Sequence, residues 1–215
     1  MQKESGTTNN NAIISGKVVS SLTLSHEVYG EGFYKFYIEV ERLSETADIL
    51  PVIVSERLIN VGDLEEGINI SINGQVRSYN SFVIEDKRNR LILSIFARDI
   101  SFNDIDPKYP NEIMLNGYIC KPPILRTTPF GREICDMLLA VNRSYNKSDY
   151  IPLISWGRNA RFSSRLSVGE NIKIWGRMQS RNYQKRYDSG ETEEKVAYEV
   201  SVSKIEISDD LDDTE

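Results

Sequence analysis

The feature that most constrains this chain is that it is written twice. Sliding the sequence against itself by 101 positions superposes Gly16 on Gly117, Val40-x-Arg42 on Val141-x-Arg143, Asp48 on Asp149 and Pro51 on Pro152. At 102 positions Gly67 meets Gly169, Ile70 meets Ile172, Gly74 meets Gly176 and Ser78 meets Ser180. A one-residue change of offset between two ordered blocks is what one loop insertion produces, so the chain holds two copies of one domain. Its 215 residues leave about a hundred for each copy, an ordinary domain size. The expected division is a disordered segment over 1–10, domain 1 over 11–106, domain 2 over 107–207 and an acidic tail over 208–215. The connector, Asp104 to Pro110, carries two prolines and reads as a fairly stiff hinge.

Each copy reads mostly as strands. Copy two runs EIMLNGYIC, EICDMLLAV, YIPLISW, ENIKIWGRMQSRNY and VAYEVSVSKIEI, with period-two alternation at Ile172/Ile174 and at Val196, Tyr198, Val200 and Val202. Asn159 to Leu166 reads as helix, and SERLINV (Ser55 to Val61) takes its place in copy one. Five strands with a short helix after the third is the element order of an OB-fold barrel. The expected fold is therefore all-β: two tandem five-stranded OB-fold barrels, each with one short helix between strands three and four.

Several functions lack a signature. There is no phosphate-cradling glycine loop, no nucleophile elbow and no His/Cys metal cluster, so neither an enzyme nor a cofactor is expected. The only histidine, His26, sits in SHEVYGEG and reads as a solvated loop residue, with Gly30 and Gly32 marking a hairpin turn. Cys120 and Cys135 read as reduced packing residues. No apolar run approaches the roughly 20 residues that span a bilayer, and MQKESGTTNNN lacks a signal-peptide core, which makes the cytoplasm the expected compartment.

Charge separates the copies. Residues 11–106 hold 9 basic against 15 acidic groups, and residues 107–204 hold 16 against 10. Residues 205–215 add six acids and no base, so the net charge of −6 conceals a basic domain 2. A basic domain is the footprint of a polyanion binder, although a Lys/Arg-rich face also serves simply as a solvated face. Aromatic side chains interleave with these bases in AVNRSYNKSDYIPLISWGRNA (Ala140 to Ala160) and in SRNYQKRY (Ser180 to Tyr187). Basic grooves with aromatic platforms hold single-stranded nucleic acid, each base stack contributing roughly 1–3 kcal/mol. A duplex hides its base faces and would gain nothing from them. On these grounds Tyr145, Tyr150 and Tyr183 are candidate stacking groups, and Trp156 either stacks or caps its barrel. Trp175 points away from Ile172 and Ile174 as a further platform or an interface anchor, and Phe130 and Tyr187 are loop candidates.

Copy two resembles the bacterial single-stranded DNA-binding protein family. The resemblance rests on Asn116–Gly117, Pro123-Ile-Leu-Arg126-Thr127, Leu139-Ala-Val-Asn-Arg143, Trp156-Gly157-Arg158-x-Ala160, Gly169, and Gly176-Arg177-Met-x-Ser-Arg181-x-Tyr183. It implies base stacking on Tyr145, Tyr150, Trp156 and Tyr183, and a path lined by Arg126, Arg158 and Arg181. Arg143, Lys173, Arg177, Lys185 and Arg186 complete the expected DNA-binding set. It also implies a function in replication, recombination or repair, and an assembly of four OB domains, hence a homodimer of this two-domain chain. Two departures stand out: Arg161 replaces a common acidic residue after the helix alanine, and the tail reads DDLDDTE with no aromatic tip, which argues against tail-mediated recruitment of repair enzymes.

The matched positions in copy one are Ser44, Ile49 and Ser55, none able to stack, with Phe82 one place past the match to Tyr183. Tyr29, Phe33, Tyr34, Phe36 and Tyr37 crowd its first hairpin and read as core packing. Copy one is thus expected to bind DNA weakly and chiefly to complete the assembly. An RNA-binding OB protein and a protein-interaction accessory of a replication-restart complex are the competing readings.

Overall fold

The computed structural model describes residues 9–42, 44, 46–60, 62–83, 88–102, 110–187 and 190–208. Most of the expected N-terminal segment, all of the expected hinge but Pro110, the tail from 209 onward and the side chain of Phe82 lie outside the described residues. Copy one comprises β1 (Asn10–Val18), β2 (Thr23–Val28), β3 (Glu31–Glu41), β4 (Ala47–Ser55), β5 (Asn69–Val83) and β6 (Arg88–Phe102). Copy two repeats them as β7 (Asn111–Ile119), β8 (Ile124–Thr127), β9 (Glu133–Arg143), β10 (Lys147–Trp156), β11 (Asn171–Arg186) and β12 (Thr192–Ile207), with α1 (Gly157–Ser163) after β10.

Alternation decides what each strand buries. In β3, Phe36, Ile38 and Val40 are buried while their neighbours are partly exposed, and β9 repeats this at Met137, Leu139 and Val141. Such strands cover one core by curling into a barrel. In copy one β1 pairs with β5 and β3, β5 with β6, β3 with β4, and β4 with β6 in parallel, which closes five strands. Copy two closes identically through β7, β11, β12, β10 and β9. The sixth strand of each copy, β2 or β8, pairs only with its hairpin partner and lies outside the barrel. Both barrels are OB folds.

The repeated glycines sit where barrel strands cross too closely for a side chain. A Cβ on Gly16 would meet the Glu39 carbonyl oxygen at 2.3 Å, and one on Gly117 would meet that of Ala140 at 2.4 Å. Gly67 and Gly169 instead hold φ of 93° and 94° before β5 and β11, a backbone region that favours glycine.

Three expectations are corrected. Among the described residues barrel 1 has no helix: Arg57 N–H bonds to Ser55 Oγ and Leu58 N–H to Ser55 O, giving a turn. Such local side-chain bonds compete with helix, and Ile59 and Gly62 add poor propensity. In barrel 2 the helix begins and ends earlier than expected, and turns carry the chain on to Leu166. His26 lies in strand β2 rather than a loop; it is exposed, and its ring stacks on Phe33 at 4.9 Å.

The two barrels join edge to edge. β1 pairs antiparallel with β7 from Asn10↔Leu115 to Ile14↔Asn111, making one sheet of twelve strands. The central pair, Ala12↔Ile113, is related by the 101-residue repeat itself, so an internal pseudo-twofold passes through it. On each side an asparagine clamps its own barrel. Asn10 bonds both ways to the Val76 backbone at 2.8 and 2.9 Å, and Asn111 bonds to that of Met178 at 2.7 and 2.9 Å.

Candidate nucleic-acid interface

On β10, Ile151, Leu153 and Ser155 face the core, which turns Tyr150, Pro152, Ile154 and Trp156 outward. Tyr150 is 44% exposed and Trp156 39%, and they stand about 20 Å apart along one strand. Trp156 lies across the ladder from Ile134, which lies across from Arg126 on β8, so Arg126 and Trp156 share one row. Tyr145 lies in the turn Ser144–Asn146 with φ of 63° and a fully exposed ring.

The β11–β12 hairpin supplies the opposite bank. Beyond the bulge at Trp175/Gly176, Met178 faces the core, which puts Gln179, Arg181, Tyr183 and Lys185 on the other side. The Arg181 guanidinium sits over the Tyr183 ring at 5.9 Å and 3.8 Å from Glu199. Lys185 Nζ lies over the Tyr187 ring at 4.5 Å. Arg186 is exposed on the opposite side of the hairpin, Arg158 is exposed in the first turn of α1, and Phe130 is almost fully exposed in the β8–β9 loop.

Several of the expected basic residues are held by carboxylates. Arg126 forms a two-pronged ion pair with Asp136, and this bond raises its pKa. Arg143 lies 3.4 Å from the buried Asp149. Arg177 is half-buried and points to the seam, 3.8 Å from Asp48, where burial and then repulsion from Arg42 lower its pKa. Lys173 and Lys204 cover Trp175 at 5.2 and 4.4 Å, and that ring lines a groove of about 790 Å³ between the barrels, together with Arg42, Met114 and Arg177. The structure therefore gathers Arg126, Tyr150, Trp156, Arg181, Tyr183 and Lys185 on barrel 2, and places Trp175, with Lys173 over its ring, and Arg177 at the seam.

Sequence reasoning missed the groups that hold this face in place. The buried Asp149 carboxylate accepts from Ser78 N–H at 2.8 Å and Arg77 at 3.0 Å, both from barrel 1. Tyr150 N–H in turn donates to Ser78 Oγ at 2.7 Å. The reciprocal site is Asp48 of barrel 1, which accepts from Ser180 N–H and Oγ of barrel 2 at 2.7 and 3.1 Å and pairs with Arg42. Asp48/Asp149 and Ser78/Ser180 are landmarks of the repeat; the signal was present, but it marks exchanged contacts. Cys120 and Cys135 are both free thiols, and burial pushes that of Cys135 up to about 11. Among the described residues no His/Cys/Asp/Glu cluster suits a metal ion, and no helix is long and apolar enough to cross a membrane.

Chemically, the outer face of barrel 2 can stack flat, unpaired rings and neutralise phosphates alongside them. Two OB barrels joined edge to edge in one sheet define the class, a tandem OB-barrel protein. The model of the single-strand binding protein family matches residues 110–208. Single-stranded DNA-binding protein B of Bacillus subtilis is 32% identical over 81 residues, which cover 34% of this chain and 72% of that protein. Single-stranded DNA-binding protein A of the same organism is 35% identical over 81 residues, covering 34% of this chain and 47% of that protein. The chain belongs to the single-strand binding protein family. It spans about half the length of the first curated relatives it matches. The wild-type single-stranded DNA-binding protein from Thermus aquaticus shares the fold, with a TM-score of 0.73, 16% identity and 96% coverage of both chains.

Proposed function

We propose that the chain binds single-stranded DNA with little sequence preference and protects it during replication, recombination or repair. The observation that carries this reading is the cluster of Tyr150, Trp156, Arg126, Arg181 and Tyr183 on one open face of a family barrel. Bases stack on Tyr145, Tyr150, Trp156 and Tyr183, while Arg126, Arg158, Arg181 and Lys185 meet phosphates; Arg186 lies on the other side of the hairpin, and Arg143 and Arg177 chiefly shape the seam, with Lys173 over Trp175. Binding is non-covalent and needs no cofactor, and the place of action is the cytoplasm. Two barrels per chain support a homodimer carrying four, as the family resemblance implies. The test is titration with oligo-dT followed by tryptophan fluorescence at several salt concentrations. Quenching with an affinity that weakens by a slope of about −0.7 per phosphate supports the reading. Absence of quenching and of binding at low salt refutes it.

A further inference from the structure

Barrel 1 lacks aromatics at the positions equivalent to those of barrel 2, yet its outer face carries rings at neighbouring positions. Ser55 takes the place of Trp156, and across the ladder from Ser55 stands Phe33, where Ile134 stands across from Trp156. The ring has moved one strand sideways, about 5 Å. Phe33 is only partly buried, stacks on the exposed His26 at 4.9 Å and lies 5.9 Å from Phe96. Phe96 occupies the position of Ser201, beside Ile53 and Gln75 on the same face. Tyr37 replaces Leu138, each opposite a proline, and Lys35 Nζ lies over its ring at 4.8 Å. Tyr79, 49% exposed, shares the face of Gln75 and Arg77 and stands one alternation away from the position matching Tyr183. Of the five aromatics crowding the first hairpin, Phe36 is core and Tyr34 packs against it, Phe33 and Tyr37 belong to this outer face, and Tyr29 is fully exposed at the hairpin turn rather than packed.

Electrostatics differ between the faces. Lys35 stands where barrel 2 has Asp136, but Arg77 is engaged by Asp149, and Glu31 flanks the rings in a pair with Arg57. Among the described residues, Lys35 and the exposed Arg98 are the cations beside these rings that no carboxylate pairs. We infer that barrel 1 holds a second single-strand site, which takes unpaired nucleobases of the same polynucleotide on Phe33, Tyr37, Phe96 and Tyr79. The inference rests on the function proposed above and replaces the expectation of a quiet first copy. Because it adds stacking platforms beyond those of barrel 2, it lengthens the footprint of the chain on the strand.

The test cross-links the unaltered full chain to a long oligo-dT carrying 5-iodouracil and maps the adducts by mass spectrometry. Adducts at Phe33, Tyr37 or Tyr79, alongside those in barrel 2, are expected. In parallel, the Phe33→Leu/Tyr79→Leu double variant keeps apolar packing but removes the rings. Its footprint on poly(dT) should shrink by the roughly 4–16 nucleotides that one OB barrel covers. Adducts confined to residues 110–208, or an unchanged footprint, overturn this inference and leave the parent reading standing. A chain that takes up no oligo-dT overturns both.

Discussion

Replacing Asp149 by asparagine tests how the two barrels hold the aromatic face. One carboxylate oxygen accepts from Ser78 N–H at 2.8 Å with Arg143 at 3.4 Å, and the other accepts from Arg77 at 3.0 Å. Asparagine keeps the volume and one acceptor for Ser78, but it presents an N–H to a guanidinium and removes the charge that both arginines face. Breaking a buried pair costs about 3–5 kcal/mol when the remaining charge is dry. Here the Arg77 and Arg143 side chains keep 23% and 35% of their exposure, so water takes up part of the loss. A single charge-assisted hydrogen bond sets a floor of about 1.5 kcal/mol, and the expected loss is about 2–4 kcal/mol. Urea unfolding at fixed protein concentration measures it. Tyr150, whose N–H bonds to Ser78, should lose order with it, seen as weaker oligo-dT binding by the surviving folded protein. A loss below about 1 kcal/mol at unchanged m-value would refute the claim that this carboxylate locks the barrels together.

Asp48→Asn, the reciprocal change, should cost a similar amount and add to Asp149→Asn within about 0.5 kcal/mol, since the two sites share no partner; the double variant's unfolding curve checks this. Trp156→Ala should weaken oligo-dT binding roughly 5- to 150-fold, the worth of one base stack, with melting temperature as a control for folding. Gly117→Ala forces a Cβ to within 2.4 Å of the Ala140 carbonyl and should destabilise the chain by about 1–3 kcal/mol in thermal or urea unfolding. The Cys135 thiol stays protonated in the fold up to about pH 11, above its ordinary value of 9.0, so the unfolded chain loses that proton first. Stability should therefore fall as pH rises from about 9 to 11, and Cys135→Ala should flatten that part of the profile.

Barrel architecture was legible because it follows from local periodicity and from glycines at strand crossings, such as Gly16 and Gly117, which recur at the repeat spacing. The outward pairing of Tyr150 with Trp156 follows from the same alternation along β10. What sequence could not show depends on which strand lies beside which. The Asp48 and Asp149 carboxylates reach into the opposite copy, and only the β1–β7 seam brings Ser180 and Ser78 to them. Alternation alone turns Trp175 away from Ile172 and Ile174, yet its place on the seam groove depends on the bulge beside it and on the neighbouring barrel. Position matching also hid Phe33, because a ring exchanged across a ladder vanishes from a linear alignment and reappears only in register. The turn that replaces a helix in barrel 1 rests on local chemistry that composition alone does not rank, the Ser55 hydroxyl taking a backbone N–H just ahead of Ile59 and Gly62.

The most direct measurement of the central claim is the structure of the full chain with oligo-dT bound. Bases should lie flat on Trp156, Tyr150 and Tyr183, with phosphates near Arg126 and Arg181 and the strand continuing onto the Phe33 face of barrel 1. A strand that bypasses the outer face of barrel 2, leaving Trp156 and Tyr183 uncovered, would contradict it.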